Sequence, residues 1–226
     1  MASRSKRYEK ARQQVDRTQR YSLEEAINLL KSMPQADFDE TVELAVQLGI
    51  DPRQTEQQVR TSISLPNGTG QSVRVVAFAE GEEAEAALEA GADEVGSDDL
   101  VERVEDGWMD FDVALATPSM MSKVGRLGRY LGPRGLMPTP KNGTVRQDLG
   151  EAVQEFKAGK VELRNDDSGN IHAPVGKLSF QTEQLQENVT AALEHLLRQK
   201  PPGVRGRYFR NVVLTSTMGP GVKLAM

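Results

Sequence analysis

The chain of 226 residues contains no cysteine and only two histidines, and aromatic residues make up 5% of it. The lack of cysteine excludes disulfide bonds, thiolate metal sites and cysteine nucleophiles. His172 and His195 are too few for a histidine-based metal site unless carboxylates complete the ligand set. We therefore predict that the protein binds no metal ion and uses no cofactor.

The sequence also lacks long hydrophobic runs. No stretch of about 18 consecutive apolar residues occurs, so no membrane-spanning helix is expected. Residues 1–21 carry basic side chains without an apolar core region, which is not the pattern of a secretory signal. Because hydrophobic residues still make up 38% of the chain, we expect buried cores and a soluble, cytoplasmic protein.

Acidic and basic residues are unevenly divided in this chain, whose net charge is −5. Residues 1–68 carry no net charge, residues 69–159 carry −8, and residues 160–226 carry +3. Residues 4–20 hold seven arginines and lysines and form a basic arm that we predict to be helical. By contrast, Glu80–Asp112 holds fourteen carboxylates and a single cation, and should repel a polyanion. Any nucleic acid is therefore expected to bind the two ends of the chain.

One basic segment, residues 123–146, interrupts the acidic middle of the chain. It has no carboxylate, and its six cations are Lys123, Arg126, Arg129, Arg134, Lys141 and Arg146. Its five glycines and three prolines predict that most of it forms neither regular helix nor strand. A long cationic loop is costly to order, so an anionic or structural partner is expected to hold it.

The two ends of the chain have the patterns of an α+β domain. A capping box at Ser22–Glu25 predicts the start of a helix. Alternating apolar residues predict strands over residues 41–49 and 58–65, and the turn at 166–169 predicts a hairpin between 160–164 and 171–180. The remaining predicted elements are a helix over 182–198 and strands over 208–215 and 221–224.

The middle of the chain alternates strands and helices. The predicted strands are residues 73–79, 94–96 and 111–117, and the predicted helices are 82–90, 98–106, 118–125 and 147–158. This alternation is typical of a small parallel, Rossmann-like α/β domain. We therefore predict a discontinuous α+β domain of residues 1–68 and 160–226, with an α/β domain of residues 69–159 inserted in it.

The middle domain lacks the loops of a nucleotide-using enzyme. The first strand is followed by Glu80-Gly81-Glu82-Glu83, whose carboxylates would repel a phosphate, and the chain has neither a GxxxxGK[ST] loop nor a GxSxG elbow. Asp110 and Asp112 could bind a divalent cation, but a solvated strand start is the preferred interpretation. An enzyme with a nucleotide site between the domains stays as the alternative.

Seven motifs, in order along the chain, resemble those of a known family. They are residues 38–43 (FDETVE), 49–53 (GIDPR), 128–136 (GRYLGPRGL), 140–144 (PKNGT), 156–159 (FKAG), 171–177 (IHAPVGK) and 215–220 (TSTMGP). Together they make the chain similar to the ribosomal protein L-one family of the bacterial large-subunit stalk. The resemblance runs from about residue 20 to the last residues of the chain.

The resemblance implies a function without catalysis. Members of the family are structural proteins of the large ribosomal subunit that bind 23S ribosomal RNA at its mobile stalk. The resemblance further implies help with the release of deacylated tRNA from the exit site, and repression of the protein's own mRNA through a mimic of the ribosomal site. The expected partners are these RNAs and the ribosome, with no membrane, and the free protein is expected to be a monomer.

The resemblance also carries RNA-binding positions onto this chain. The family's contact positions correspond to Phe38, Thr41, Glu43, Lys177, Ser179, Thr217, Met218 and Gly219. Hydroxyls can exchange hydrogen bonds with ribose 2′-OH groups, and few aromatic residues favour recognition of shape and backbone over base stacking. The candidates for secondary RNA contacts are Arg126, Arg129, Arg134 and Lys141. For these four, contact with RNA and neutralisation of nearby carboxylates both stay open.

Overall fold

The computed structural model describes residues 5–225, so residue 4 of the basic arm lies outside the described residues. The chain divides into two compact units. The first, which we call the terminal unit, combines Met1–Gly70 with Val161–Met226, and the second, the middle unit, is Gln71–Lys160. Within residues 5–225 no helix is long and apolar enough to cross a membrane.

Helices and strands are mixed throughout residues 5–225. The α-helices there are α1 Lys6–Gln13, α2 Leu23–Ser32, α3 Glu82–Glu89, α4 Asp98–Glu105, α5 Met121–Val124, α6 Gly128–Arg134, α7 Leu149–Lys157 and α8 Thr182–Arg198. The strands there are β1 Thr41–Leu48, β2 Arg60–Ser64, β3 Val75–Phe78, β4 Glu94–Gly96, β5 Val113–Ala116, β6 Lys160–Arg164, β7 Asn170–Lys177, β8 Phe209–Ser216 and β9 Val222–Lys223. The predicted fold class, α/β combined with α+β, is confirmed.

The terminal unit contains a four-stranded antiparallel sheet in the order β7-β1-β8-β9. On β1, Val42, Leu44, Val46 and Leu48 are buried, as their alternation predicts. Helices α2 and α8 pack on that face of the sheet. The predicted capping box starts α2, since Ser22 Oγ accepts from Glu25 N and Glu25 Oε2 accepts from Ser22 N. One face of this sheet is thus covered by helices.

The predicted hairpin between β6 and β7 forms only next to its turn, where Asn165 makes an isolated antiparallel bridge with Ile171. The turn itself forms, since Gly169 N donates to Asp166 O at 3.1 Å, but β6 pairs with β2 while β7 pairs with β1. Asn165 also bonds to the residue before β2: its N–H donates to Val59 O at 3.1 Å and its Oδ1 accepts from Val59 N at 2.7 Å. These bonds hold the end of β6 beside β2, a distant segment that the local turn pattern could not reveal.

The middle unit contains a parallel sheet in the order β4-β3-β5, as its alternation of elements predicts. Alternate residues of β3 point to two cores. Val76 and Phe78 lie with α4, α5 and α6, whereas Val75 and Ala77 lie with α3 and α7. Helices therefore cover both faces of this sheet, which is why all four residues of β3 are buried.

The prediction that most of residues 123–146 forms neither regular helix nor strand agrees with the structure, since α5 and α6 cover only residues 123–124 and 128–134 of this segment. The chain runs from α5 through a 3-10 turn, Gly125–Leu127, into α6, and a second 3-10 turn follows at Pro140–Asn142. Val124, Leu127 and Leu131 are fully buried at helical spacing, so burial of this apolar stripe overrides the poor helix propensity of glycine. The helix ends where Gly135 adopts a left-handed conformation, with φ of 74°.

Candidate nucleic-acid interface

The eight residues proposed to bind RNA lie around the beginning of β1, and we call this group the candidate RNA edge. In the strand register Thr41 faces Lys177 of β7, and Thr217 follows directly after β8 on the other side of β1. Thr41 N donates to Thr217 Oγ1 at 2.9 Å, and Lys177 Nζ donates to Thr41 Oγ1 at 2.9 Å. Thr41 therefore joins its own stretch of the chain to those that contain Lys177 and Thr217.

Ser179 is held in the same edge by Asp39. Its hydroxyl donates to Asp39 Oδ2 at 2.7 Å, and its N–H donates to Asp39 Oδ1 at 3.2 Å. Lys177 Nζ also lies 3.4 Å from Asp39 O. The ammonium group has three protons, so after its bonds to Thr41 and Asp39 it can still donate to an anion. The Ser179 oxygen can still accept a hydrogen bond.

Two large apolar side chains stand out at the edge because they face solvent. Phe38 is 53% exposed and Met218 is 49% exposed. Phe38 lies three residues before Thr41 in the segment before β1, and Met218 directly follows Thr217 after β8. Apolar side chains next to hydroxyls suit a ligand that has both flat bases and sugar hydroxyls.

Gly219 is required by the protein itself. A Cβ at this position would lie 2.5 Å from Ser216 Oγ, and Gly219 N donates to Ser216 O at 3.0 Å to close the turn. This internal contact is sufficient to explain the glycine, and close approach of a ligand is not needed for it. Glu43 lies two residues beyond Thr41 on the sheet face opposite to the helices, opposite Thr215 in the register.

Glu40 is the residue at this edge that sequence reasoning missed. It is 1% exposed although it is a carboxylate. Burial favours its neutral form, but hydrogen bonds from Ser216, Met218 N and Ala36 N, with the charge of Arg7, hold the pKa of Glu40 below its usual range. A glutamate in the polar run before a strand is normally exposed, so the sequence contained no signal for its burial.

The six cations of residues 123–146 divide into two groups. Lys123 Nζ lies 2.8 Å from Glu80 and 2.9 Å from Asp98, and Arg146 Nη1 lies 3.3 Å from Glu155. These two neutralise neighbouring carboxylates. The other four are exposed, and within residues 5–225 they form no ion pair: Arg126, Arg129, Arg134 and Lys141. They are therefore available to a negatively charged partner.

The other candidate sites have structural explanations. Arg74 lies 3.6 Å from both Asp110 and Asp112, so a protein cation already occupies the place that a metal ion would take. His195 Nε2 lies 2.9 Å from Thr61 Oγ1, and burial lowers the pKa of this imidazole. The first turn of α3, which follows β3, holds three glutamates that would repel the phosphates of a dinucleotide.

Comparison with known proteins places the chain among the ribosomal proteins. The profile of the Ribosomal protein L1p/L10e family matches residues 29–220, and the chain belongs to that family. It is 57% identical over 224 residues to the large ribosomal subunit protein uL1 of Kosmotoga olearia, covering 99% of this chain and 97% of the relative. The uL1 proteins of Thermosipho melanesiensis and Lactobacillus johnsonii are 55% and 54% identical, each over 99% of this chain and 97% of the relative.

Membership of this family confirms the resemblance found in the motifs. The family is one of structural ribosomal proteins, so the prediction that the protein is not an enzyme is confirmed as well. The alternative of a nucleotide-dependent enzyme is correspondingly set aside. The protein therefore has a structural role of the ribosomal type.

Proposed function

We propose that the protein is a component of the large ribosomal subunit and binds 23S ribosomal RNA at the mobile stalk through the candidate RNA edge. The observation that carries the proposal is the convergence of Thr41, Lys177 and Thr217 at one end of the sheet, from stretches up to 176 residues apart in sequence. The relatives are named as proteins of the large ribosomal subunit, which supports this assignment.

The chemistry of the edge suits structured RNA. Lys177 supplies one positive charge for a phosphate, while the Ser179 and Thr217 oxygens can meet ribose 2′-OH groups. Phe38 and Met218 provide apolar surface for a sugar or an unstacked base. Such contacts read the shape and the backbone of a folded RNA, which a mimic in the protein's own mRNA could share. We therefore propose repression of that mRNA through the same edge.

The two units would have different tasks. In this proposal the terminal unit is the discontinuous RNA-binding domain of residues 1–68 and 160–226, and the middle unit is a separate domain of residues 69–159. The division of the chain after Gly70 and after Lys160 supports it. The unpaired cations Arg126, Arg129, Arg134 and Lys141 would contact exit-site tRNA while deacylated tRNA leaves the ribosome.

The test is binding of the free protein to a minimal stalk fragment of 23S ribosomal RNA and to an unrelated RNA hairpin. We expect selective binding to the stalk fragment, weakened about tenfold or more by Thr217→Ala and by Met218→Ala, as for central interface residues. Thr190→Ala and Leu197→Ala, at exposed positions on α8, are the matched controls and should bind as the native chain does. Equal, weak binding to both RNAs would contradict the proposal.

A further inference from the structure

Glu40 is a buried carboxylate whose hydrogen-bonding capacity is fully used. Oε2 accepts from Ser216 Oγ at 2.7 Å and from Met218 N at 2.9 Å. Oε1 accepts from Ala36 N at 2.8 Å and lies 3.5 Å from Arg7 Nη1. A carboxylate with 1% exposure is stable in its charged form only when such donors replace water.

The side chain and the backbone carbonyl of Glu40 together contact all the segments that form the candidate RNA edge. The bond to Ala36 N closes the loop that presents Phe38. The bonds to Ser216 and Met218 hold the turn after β8, and Glu40 O accepts from Leu178 N at 2.9 Å, between Lys177 and Ser179. One residue thus contacts every stretch of chain that supplies an RNA-binding position.

Both backbone polar groups of Met218 are fixed while its side chain faces solvent. Its N–H donates to Glu40, and its carbonyl accepts from Arg7 Nη2 at 3.2 Å. Arg7 also donates to Pro34 O at 3.1 Å, so the guanidinium links helix α1 to the loop before β1 and to the turn after β8. A side chain held on a fixed backbone loses less entropy when it binds, which is how a preorganised site gains affinity.

We propose that Glu40, assisted by Arg7, is a positioning residue that sets the geometry of the RNA-binding edge without contacting the RNA. This inference rests on the proposed function. It makes Glu40 essential to RNA binding although its charge has the same sign as that of RNA. It also gives the basic helix α1 a mechanical link to the edge through Arg7.

The direction in which Glu40→Gln changes the affinity for RNA distinguishes positioning from simple electrostatics. Removing a carboxylate near an RNA site should strengthen binding if charge alone matters. Positioning predicts the opposite for Glu40→Gln, because an amide cannot accept from donors on both sides: a loss of about ten- to hundredfold in affinity for the stalk RNA fragment, as for lost hydrogen bonds to a charged group. Glu162→Gln is the matched control, since Glu162 lies in the same unit and pairs with Arg60 at 3.0 Å.

The salt dependence of binding is the readout that loss of a phosphate contact would change. A residue that contacts a phosphate contributes about 0.9 to the slope of log affinity against log salt concentration. Glu40→Gln should leave this slope unchanged while lowering the affinity, and Arg7→Gln should do the same to a smaller extent. Lys177→Gln, which removes a proposed phosphate contact, should lower the slope and serves as the positive control.

Amide hydrogen exchange tests whether Glu40 holds the turn after β8 in the free protein, so its outcome is independent of whether the protein binds RNA. In Glu40→Gln the Met218 N–H should exchange faster, while the Thr217 N–H, which donates to Thr41 O at 3.0 Å, should be unchanged. If the native chain binds the stalk fragment selectively and Glu40→Gln binds it as tightly as Glu162→Gln, the inference is overturned and the proposed function stands. If the native chain does not bind selectively, the proposed function fails. Unchanged exchange at the Met218 N–H of Glu40→Gln would also overturn the inference that Glu40 holds the turn after β8.

Discussion

The terminal unit and the middle unit differ in how their helices cover their sheets. The sheet of the terminal unit is antiparallel and its helices cover one face, and Ser179 and Thr217 reach the surface next to the beginning of β1. The sheet of the middle unit is parallel and covered on both faces, so its central strand β3 is fully buried. A sheet covered on one face leaves strand residues for recognition, whereas one covered on both faces leaves only loops and helices.

Carboxylates show the same difference. In the middle unit none of the carboxylates is buried, and pairs such as Lys123 with Glu80 add little to stability because water screens them. In the terminal unit Glu40 is buried and linked to three segments of the edge. In our proposal the exposed acidic residues disfavour RNA outside the basic segment of the middle unit, while the buried Glu40 organises the surface that binds the stalk RNA. Whether a carboxylate is buried therefore indicates more about its role than how many carboxylates the unit contains.

The largest expected effects come from the two cores. Leu44→Ala in the terminal unit and Leu115→Ala in the middle unit each remove a fully buried side chain and should lower the free energy of unfolding by about 2–5 kcal/mol. Only Leu44→Ala should also weaken binding to the stalk fragment, because the edge is built on β1. Denaturant unfolding combined with RNA binding checks both. If Leu44→Ala and Leu115→Ala lowered the affinity for RNA equally, RNA binding would not depend on the core of the terminal unit in particular.

The next effect concerns the pH dependence of stability. Since the pKa of Glu40 is lowered in the folded protein, its ionised form stabilises the fold above the ordinary value of 4.5, and this contribution is lost as the pH falls through the folded value. The stability difference between the native chain and Glu40→Gln should therefore be full at neutral pH and shrink well below pH 4.5. Unfolding measured across this range checks it, and a difference independent of pH would contradict it.

A charge reversal in the middle unit should affect contact with tRNA without affecting stability. Arg134→Glu changes an exposed residue with no ion pair in the described chain, so the free energy of unfolding should change by less than about 0.5 kcal/mol. Binding of deacylated tRNA to ribosomes that contain the variant should weaken about three- to tenfold, as for a lost phosphate contact. Lys157→Glu, which breaks the pair with Asp93 at 2.9 Å, is the charge-matched control and should leave tRNA binding unchanged.

The smallest effect is expected at a neutral buried group of the terminal unit. The Tyr208 hydroxyl is buried without a hydrogen-bond partner among the described residues, and burial raises the pKa of Tyr208 to about 12. Tyr208→Phe should therefore stabilise the protein by about 1 kcal/mol. Tyr21→Phe is the matched control: Tyr21 OH accepts from Asp16 N at 2.9 Å, so its loss should destabilise by a similar amount. Thermal unfolding distinguishes the two signs.

Local patterns in the sequence were sufficient for most of the elements. The capping box at Ser22 identified the start of α2, and the alternation from Val42 to Leu48 identified β1 and its buried face. The predicted helix over residues 182–198 matches α8 at both ends. These predictions succeeded because capping and alternation act between residues that are close in the chain. The motifs also identified the family, since seven short matches in order are very specific.

The amino-acid sequence by itself thus determined the mixed fold class, the family and the segregation of charge between the units. Only the tertiary structure decided which strand pairs with β6, why residues 128–134 of a glycine-rich segment are helical, and that Glu40 is buried at the centre of the edge. Each of these depends on contacts between distant residues: Val59 with Asn165, Leu131 with its core, and Glu40 with Ser216. Burial and long-range hydrogen bonds can override local propensity, and neither can be read from neighbours in the chain.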